Sequence, residues 1–467
     1  MQQEIIAEVS AITGEDYVAT RSEHVESYLK DETVPSLVPE RAEDSIVVRP
    51  GDAEEVAAIV QLAAAEKVPV VPRGSGTGLV AGAVPTRSSI IISTERLNKI
   101  KEVDEDNFTV TCGAGVTLEQ LLERLKEEDD LFFPIHPGDE GATIGGMVIN
   151  NAGGARAVKH GVMRNHVRGL EFVTPSGQII KCGGKTLKNV AGYDLMHLLV
   201  GSEGTLGIVT EATISVEPEP EHEATLLISF AERKQAIEAV PEIMKAGSKP
   251  LALEYIERDM AEMAAEHLGE SWPPAEGSVD LMIVLAENNQ DILYESALEI
   301  ENICKDLGAV ETLIAERREE QERLLTVRSN IDTATDKEDL ADDVDAAVPP
   351  ACIDDFLSDL LEIYEDYGAK LSAYGHAADG NLHIYIYKEK GEVPNYYQEL
   401  KQRFYRKTQE YGGTIAAEHG IGKTKKYDLP MQSSKDELEL MKGIKQVFDP
   451  AGIMNPDTIF NADDSSS

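Results

Sequence analysis

Apolar positions in the first half of the chain come in short blocks that alternate between helical and extended spacing. Positions 5–12 are amphipathic, 45–48 form an apolar run, 53–67 read as a helix and 68–71 as a β-rich segment. The alternation continues to about 217, with short turn-bounded strands at 108–111, 170–174 and 208–214. Glycine is dense here: N-A-G-G, C-G-G and G-S-E-G-T-L-G mark tight turns and close backbone approaches. After the acidic linker E-P-E-P-E-H-E the texture changes. Strands at 226–230, 251–256 and 281–285 are separated by helical stretches, followed by a charged helix near 315–332, a helix from 353, a strand across 382–387 and a helix at 395–411. This predicts an α+β chain in three parts, 1–218, 219–415 and 416–467, with a disordered tail from about 461 and no internal repeat.

With 467 residues the chain has room for two or three packed units. No apolar run approaches the roughly 20 residues that cross a bilayer, so no transmembrane span is predicted. The start M-Q-Q-E-I-I-A-E-V-S lacks the basic and apolar stretches of a secretory signal, which predicts a cytoplasmic protein, with any membrane association made through a partner. Lys plus Arg number 43 against 85 Asp plus Glu, and 43 − 85 = −42. Such a field repels nucleic acid and anionic lipid, excludes both as ligands, and is compatible with a salt-rich cytoplasm. Cys112, Cys182, Cys304 and Cys352 form no C-x-x-C pair, so they read as reduced thiols, and electrons must travel through a bound organic cofactor or leave to another protein.

In V-P-V-V-P-R-G-S-G-T-G-L, Gly74, Gly76 and Gly78 follow a strand at alternate positions, where bare amides can wrap a phosphate. A nicotinamide fingerprint would have to open a long helix, and Gly82 and Pro85 forbid one. No G-K-[ST] ending marks a nucleotide triphosphate loop either. H-P-G-D-E-G-A-T-I-G-G-M-V-I-N-N-A-G-G and N-V-A-G-Y-D-L with V-G-S-E-G-T-L-G-I-V-T-E-A repeat the theme, which suggests one extended ligand lying against backbone. These stretches resemble the FAD-binding domain of the vanillyl-alcohol oxidase and p-cresol methylhydroxylase superfamily, in its glycolate oxidase large subunit and D-lactate dehydrogenase branch, from about Arg41 to Phe460. The resemblance implies an FAD-binding domain of two α+β subdomains plus a ferredoxin-like α+β cap with an antiparallel sheet. It implies that Arg73, Gly74, Ser75, Gly76, Thr77 and Gly78 hold the pyrophosphate. Pro137, Gly138, Ala142, Thr143, Gly145, Gly146 and Asn151 would line the cofactor, Gly201, Glu203, Gly204, Gly207, Ile208 and Val209 would touch the flavin and adenine end, and Asn455 would lie near the isoalloxazine. Several relatives attach FAD to a histidine in the first loop; that loop has none here, so FAD is expected to be non-covalent.

G-H-A-A-D-G-N-L-H-I-Y sets His376 and His383 on the two sides of a D-G turn, and A-E-H-G-I-G adds Glu418 and His419. Two imidazoles and a carboxylate leave open positions on a divalent ion, as a metal that also binds substrate requires, and the adjacent His419 is free to act as general base. The resemblance assigns the same roles: His376, His383 and Glu418 as ligands of zinc, iron or manganese, and His419 as the base. It also gives Arg328 the substrate carboxylate. Tyr385 stands where the 2-hydroxyglutarate branch has a substrate-binding Asn; by strand alternation it shares the face of His383 and is expected to shorten the pocket. The lysine that relatives carry after N-P is lost, since Asp457-Thr458 occupies that place. The implied activity is an FAD-dependent D-2-hydroxyacid dehydrogenase, taking D-lactate or glycolate to the 2-oxo acid by hydride transfer to flavin N5. Its electrons would pass to an electron-transfer flavoprotein, an iron-sulfur subunit or a quinone. A D-2-hydroxyglutarate-type dehydrogenase, a non-redox ether-lipid synthase and a catalytically silent electron-transfer subunit stay open as alternatives.

Overall fold

The structure is a computed structural model describing residues 1, 3–128, 131–247 and 249–462; of the tail expected from about 461, residues 463–467 lie outside that set. In the N-terminal half, Ile46–Val48, Ile90–Ser93 and Val70–Arg73 pair in parallel, with Val18–Ala19 antiparallel at one edge. All three parallel strands are buried along their length, which is why they read as continuous apolar runs. Helix Ala53–Glu66 packs on this sheet. Asp52 caps it by accepting the Glu55 N–H at 2.8 Å, Lys67 ends it in the left-handed conformation, and Val56, Ile59, Val60 and Ala63 form its buried stripe. Beyond Val70–Arg73, Met454 adds a parallel bridge to Val70, so the C-terminal segment lies along that edge.

A second sheet, antiparallel throughout, runs Ile100–Asp104, Thr109–Gly113, Ile208–Ser215, Val167–Val173, Ile179–Gly183. Helices Leu118–Leu125 and Ile144–Asn150 bury Leu121, Leu125, Ile144 and Val148 in one core with Val110, Leu170 and Ile214. No helix follows the first glycine loop directly, in keeping with the exclusion of a nicotinamide fold.

The second half is a seven-stranded antiparallel sheet backed by helices. His222–Phe230, Ala252–Glu257, Val279–Glu287 and Ala309–Ala315 stand in the ferredoxin-like order 4-1-3-2. Leu340–Ala347, Ala373–His376 and Asn381–Tyr387 repeat that order, with the fourth strand reduced to a bridge from Thr414 to Ala347. The second strands of the two units join them, in the register Glu254↔His376, Tyr255↔Gly375 and Ile256↔Tyr374. The expectation that the chain lacks a repeat is therefore corrected at the level of topology. Leu340–Ala347 left no sequence signal because it contains Asp342, Asp343 and Asp345, a residue type depleted from strands. The charged helix expected at 315–332 is split into Arg318–Ser329 and Ile331–Ala334, preceded by the strand Ala309–Ala315. Among the described residues no helix is long and apolar enough to cross a membrane.

Candidate active site

The first glycine loop, the second glycine stretch and the C-terminal segment enclose a cleft of about 1100 Å³. Its walls include Gly74, Ser75, Gly76, Thr77, Gly78, Pro137, Ala142, Thr143, Gly146, Glu203 and Asn455. The loop tolerates only glycine at two points: a Cβ at Gly74 would collide with Thr143 Oγ1, and one at Gly76, where φ is +83°, with the Arg73 guanidinium. The result is a backbone-walled cradle that suits a dinucleotide.

The other expected cofactor residues lie elsewhere. Arg73 is nearly buried and donates to the carbonyls of Lys30 at 2.8 Å, Ser27 at 3.2 Å and Ser75 at 3.4 Å, so it braces the loop and does not face the cleft. Asn151 is the left-handed cap of Ile144–Asn150 and accepts the Arg164 N–H at 2.9 Å. Gly145 packs on Ala114, Gly201 near Asn151, Gly204 on Pro72 and Gly207 on the Val173 carbonyl, while Ile208 and Val209 are core residues. None of these lines the cleft, and Gly138 lines its neighbour instead.

Glu203 ties the two halves together by accepting the N–H groups of Ile421 at 3.0 Å and Gly422 at 2.7 Å. A lysine from elsewhere in the chain, Lys423, packs against the N-P segment. Lys423 Nζ donates to Thr458 Oγ1 at 2.7 Å, Asn455 Oδ1 at 3.1 Å and the Gly82 carbonyl at 3.1 Å, which fixes Asn455 with its Nδ2 on Glu203 O at 2.8 Å.

The second half contributes one face of its sheet. Register places Glu254, His376 and Asn381 in one cross-strand row, Tyr374, His383 and Asp345 in the next, and Tyr385 with Asp343 in a third. The D-G turn closes the first row, linking His376 to Asn381: the Gly380 N–H donates to His376 O at 3.0 Å, and the Asn381 N–H to Asp379 Oδ1 at 3.1 Å.

Glu418 reaches this face from the loop after Thr414, its Oε1 lying 3.3 Å from His383 Nε2 and 3.6 Å from His376 Nε2. One ligand atom from each of His376, His383 and Glu418 falls within 4.8 Å of the others. His376 donates Nδ1–H to Glu254 at 2.8 and 3.0 Å, which leaves its Nε2 lone pair for a metal; His383 Nδ1 is buried without a partner. Burial opposes charge on Glu418, yet the two imidazoles outweigh it and hold this carboxyl well below its usual range. Burial likewise lowers His376, but Glu254 and Glu418 lift it well above an ordinary imidazole. Such a carboxylate, able to stabilise added positive charge, together with two imidazoles is a donor set that fits a divalent cation with open coordination positions.

Asp345 builds the loop that carries Glu418: its Oδ2 accepts the N–H groups of Ala417, Glu418 and His419 at 2.9, 3.0 and 2.8 Å. Burial opposes its ionisation, but His419 and Lys425 bring its pKa down to about 2. The His419 ring stacks on His383, with centroids 5.2 Å apart; it stands outside the His376, His383 and Glu418 group but brings one ligand atom within 4.8 Å of His383 and Asp345, a second set of donors on the same face.

A second cleft, about 1420 Å³, opens over this face. It shares Thr77, Leu79, Pro137, Asp139, Glu418 and His419 with the first. Arg328 is on its wall, donating Nε–H to Glu254 Oε2 at 2.8 Å, with its guanidinium carbon 4.9 Å from the Tyr374 ring centre. Nη2 lies 2.5 Å from the same oxygen but is not aligned for a hydrogen bond, so its N–H groups are left for another acceptor.

Tyr385 is corrected. It shares the His383 face but is fully buried and does not line the cleft; its hydroxyl lies 3.2 Å from that of Tyr374 and 3.4 Å from Asp332 Oδ1. It supports a wall that Tyr374 and Asp332 form and does not itself shorten the pocket. Glu254, Tyr374, Asp343 and Asp345 were missed in sequence. A lone acid in the apolar run L-A-L-E-Y-I and the period-2 pair in D-V-D were the available signals.

Residues 219–459 match the family described as FAD linked oxidases, C-terminal domain, and residues 45–183 match the FAD binding domain. The chain is 42% identical to a D-lactate dehydrogenase of Archaeoglobus fulgidus over 431 residues, 92% of this chain and 95% of that one. It is 36% identical to the glycolate oxidase subunit GlcD of Bacillus subtilis over 422 residues, 89% of each. Its fold is that of p-cresol methylhydroxylase with substrate bound, at a TM-score of 0.78 and 14% identity over 99% of this chain and 97% of that one. The glycine-walled cleft and the paired ferredoxin-like units are thus those of a flavoenzyme, and this chain belongs to the FAD-linked oxidase family.

Proposed function

We propose that this protein is an FAD-dependent dehydrogenase that oxidises small D-2-hydroxy acids, of the D-lactate or glycolate kind, to 2-oxo acids. The observation that carries this reading is the junction of the clefts: Glu418 and His419 line both, so a redox cofactor in the first and a hydroxy acid in the second meet beside the metal-ligating group. Relatives named for D-lactate and glycolate oxidation support it. When bound, FAD supplies a two-electron acceptor, and a zinc, iron or manganese ion held by His376, His383 and Glu418 supplies a Lewis acid.

Arg328 directs its unaligned Nη2 to the substrate carboxylate, and Glu254 keeps both Arg328 and His376 in place. His419, outside the ligand set, takes the proton of the 2-hydroxyl. FAD is held without a covalent bond, since positions 73–78 offer no histidine, cysteine or tyrosine. Electrons leave to an electron-transfer flavoprotein, an iron-sulfur subunit or a quinone. The working parts are 1–218 for the flavin, 219–415 for the substrate and 416–467 as the segment that returns to the flavin, in a cytoplasmic protein whose membrane contacts, where present, run through a partner.

Anaerobic titration of the purified flavoprotein with D- and L-2-hydroxy acids tests the reading. Bleaching of the flavin band by a short D-acid is expected. A band that no 2-hydroxy acid bleaches removes it.

A further inference from the structure

Within the second cleft the third cross-strand row is chemically odd. Asp343 lies on its wall, yet its Oδ1 is buried without a hydrogen-bond partner. An acceptor left dry in this way costs about 1–3 kcal/mol, and more when charged, unless a ligand or water supplies a donor. Asp332, on the same wall, already takes the Tyr385 hydroxyl. The cations on that wall are already assigned: Arg328, anchored on Glu254, to the C1 carboxylate, and Lys337 to Glu32 at 3.4 Å and Asp332 at 3.8 Å. Among the described lining residues no further Lys or Arg remains to receive a second carboxylate. Asp343 stands one row beyond His383 and Asp345, two residues or about 7 Å along the strand, within reach of a substituent on C3 or C4 of an acid anchored at its C1 and C2.

We infer that Asp343 is the specificity-determining residue of the cleft: it accepts a hydrogen bond from a further hydroxyl carried beyond C2 and, with Asp332, rejects a second carboxylate. The inference rests on the hydroxy-acid reading above and narrows it. The favoured class is a short D-2-hydroxy monocarboxylate bearing another hydroxyl, of which D-glycerate is the smallest member. An apolar tail leaves Oδ1 unsatisfied, and a dicarboxylate places like charges together in a partly desolvated pocket. Sites that hydrogen-bond a substrate hydroxyl discriminate strongly against analogues lacking it.

The test is anaerobic stopped-flow reduction of the holoenzyme flavin by D-glycerate, D-lactate and D-2-hydroxyglutarate. The wild type should be reduced with a second-order rate constant at least about tenfold higher by D-glycerate than by D-lactate, and most slowly by D-2-hydroxyglutarate. Asp343→Leu should cut the glycerate-to-lactate ratio at least tenfold. Asp343→Asn, which keeps an acceptor and the side-chain size, should retain part of that ratio and raise the relative rate with D-2-hydroxyglutarate; it carries the test if the leucine variant does not fold. Equal or better reduction by D-lactate in the wild type overturns the inference while leaving the dehydrogenase reading intact. So does a uniform slowing with all three acids in both variants, which would mark Asp343 as a positioning residue for the neighbouring histidines. Failure of every acid to reduce the flavin overturns both.

Discussion

His419 and His383 stack face to face, and the proposed mechanism gives them different work. His383 points Nε2 at Glu418, whereas His419 stands outside that ligand group on the wall common to both clefts. His419→Asn should keep FAD and metal content while flavin reduction slows by about 10²- to 10⁴-fold, the usual cost of removing a general base. His383→Asn should lose metal as well as rate. A His419→Asn enzyme that reduces at the parent rate, or that loses metal as His383→Asn does, would show this division to be wrong. Glu254 works one step behind: it receives His376 Nδ1–H and Arg328 Nε–H together. Glu254→Gln is expected to weaken metal affinity about 10- to 100-fold in competition with a chelator, the usual loss when an outer partner of a ligating histidine goes. Unchanged affinity would mean that His376 needs no such orientation.

At the scale of elements, strand Ala252–Glu257 places Glu254 at the seam and Glu257 at its end. Burial pushes Glu257 up to about 7, against the Ala373 N–H and the Tyr255 hydroxyl that favour its charge. Its unfolded value is the ordinary 4.5, so between 4.5 and about 7 the native chain holds a proton that the unfolded chain has released. Stability therefore falls as pH rises through that window, and the cost is complete above it. Glu257→Gln should match the parent's melting temperature at pH 4 and exceed it at pH 8, with a gain of up to about 3 kcal/mol; equal melting at pH 8 would put Glu257 ionised in the native state.

Elements with their own punctuation were legible in the chain. Ala53–Glu66 has its Asp52 cap, Asn381–Tyr387 follows a D-G turn, and the glycine loop declares a backbone-walled site. His376, His383, Glu418 and His419 were legible for the same reason, since turns and glycines bracket them. Leu340–Ala347 was not, because its aspartates are held in a strand by partners supplied from afar: Asp345 by three N–H groups more than 70 positions later, and Asp342 by the Tyr397 hydroxyl at 2.7 Å. Tyr385 was assigned to the right face but the wrong depth, since alternation says which side of a sheet a residue takes and not what lies over it.

For the whole molecule, the His376, His383 and Glu418 cluster joins the second ferredoxin-like unit to the returning C-terminal loop, because its residues come from two strands of that unit and a distant turn, and the first unit reaches it only through Glu254 on His376. Chelation is expected to abolish turnover and lower the melting temperature while the flavin stays bound, since of His376, His383 and Glu418 only Glu418 lies on the wall of the glycine-walled cleft. Activity that survives removal of all metal would contradict this. Acid or heat denaturation should release the flavin from the polypeptide; yellow protein after denaturation would reveal a covalent link. The bridge from Met454 to Val70 carries a consequence for synthesis. The strand Val70–Arg73 leaves the ribosome early, but the segment along its edge is made 384 positions later (454 − 70). Until then the nascent chain shows an unpaired strand edge to its neighbours on the polysome, the kind of surface that recruits chaperones or seeds aggregation. The dangerous interval of translation ends only when the same few residues arrive that bring Asn455 to the flavin cleft.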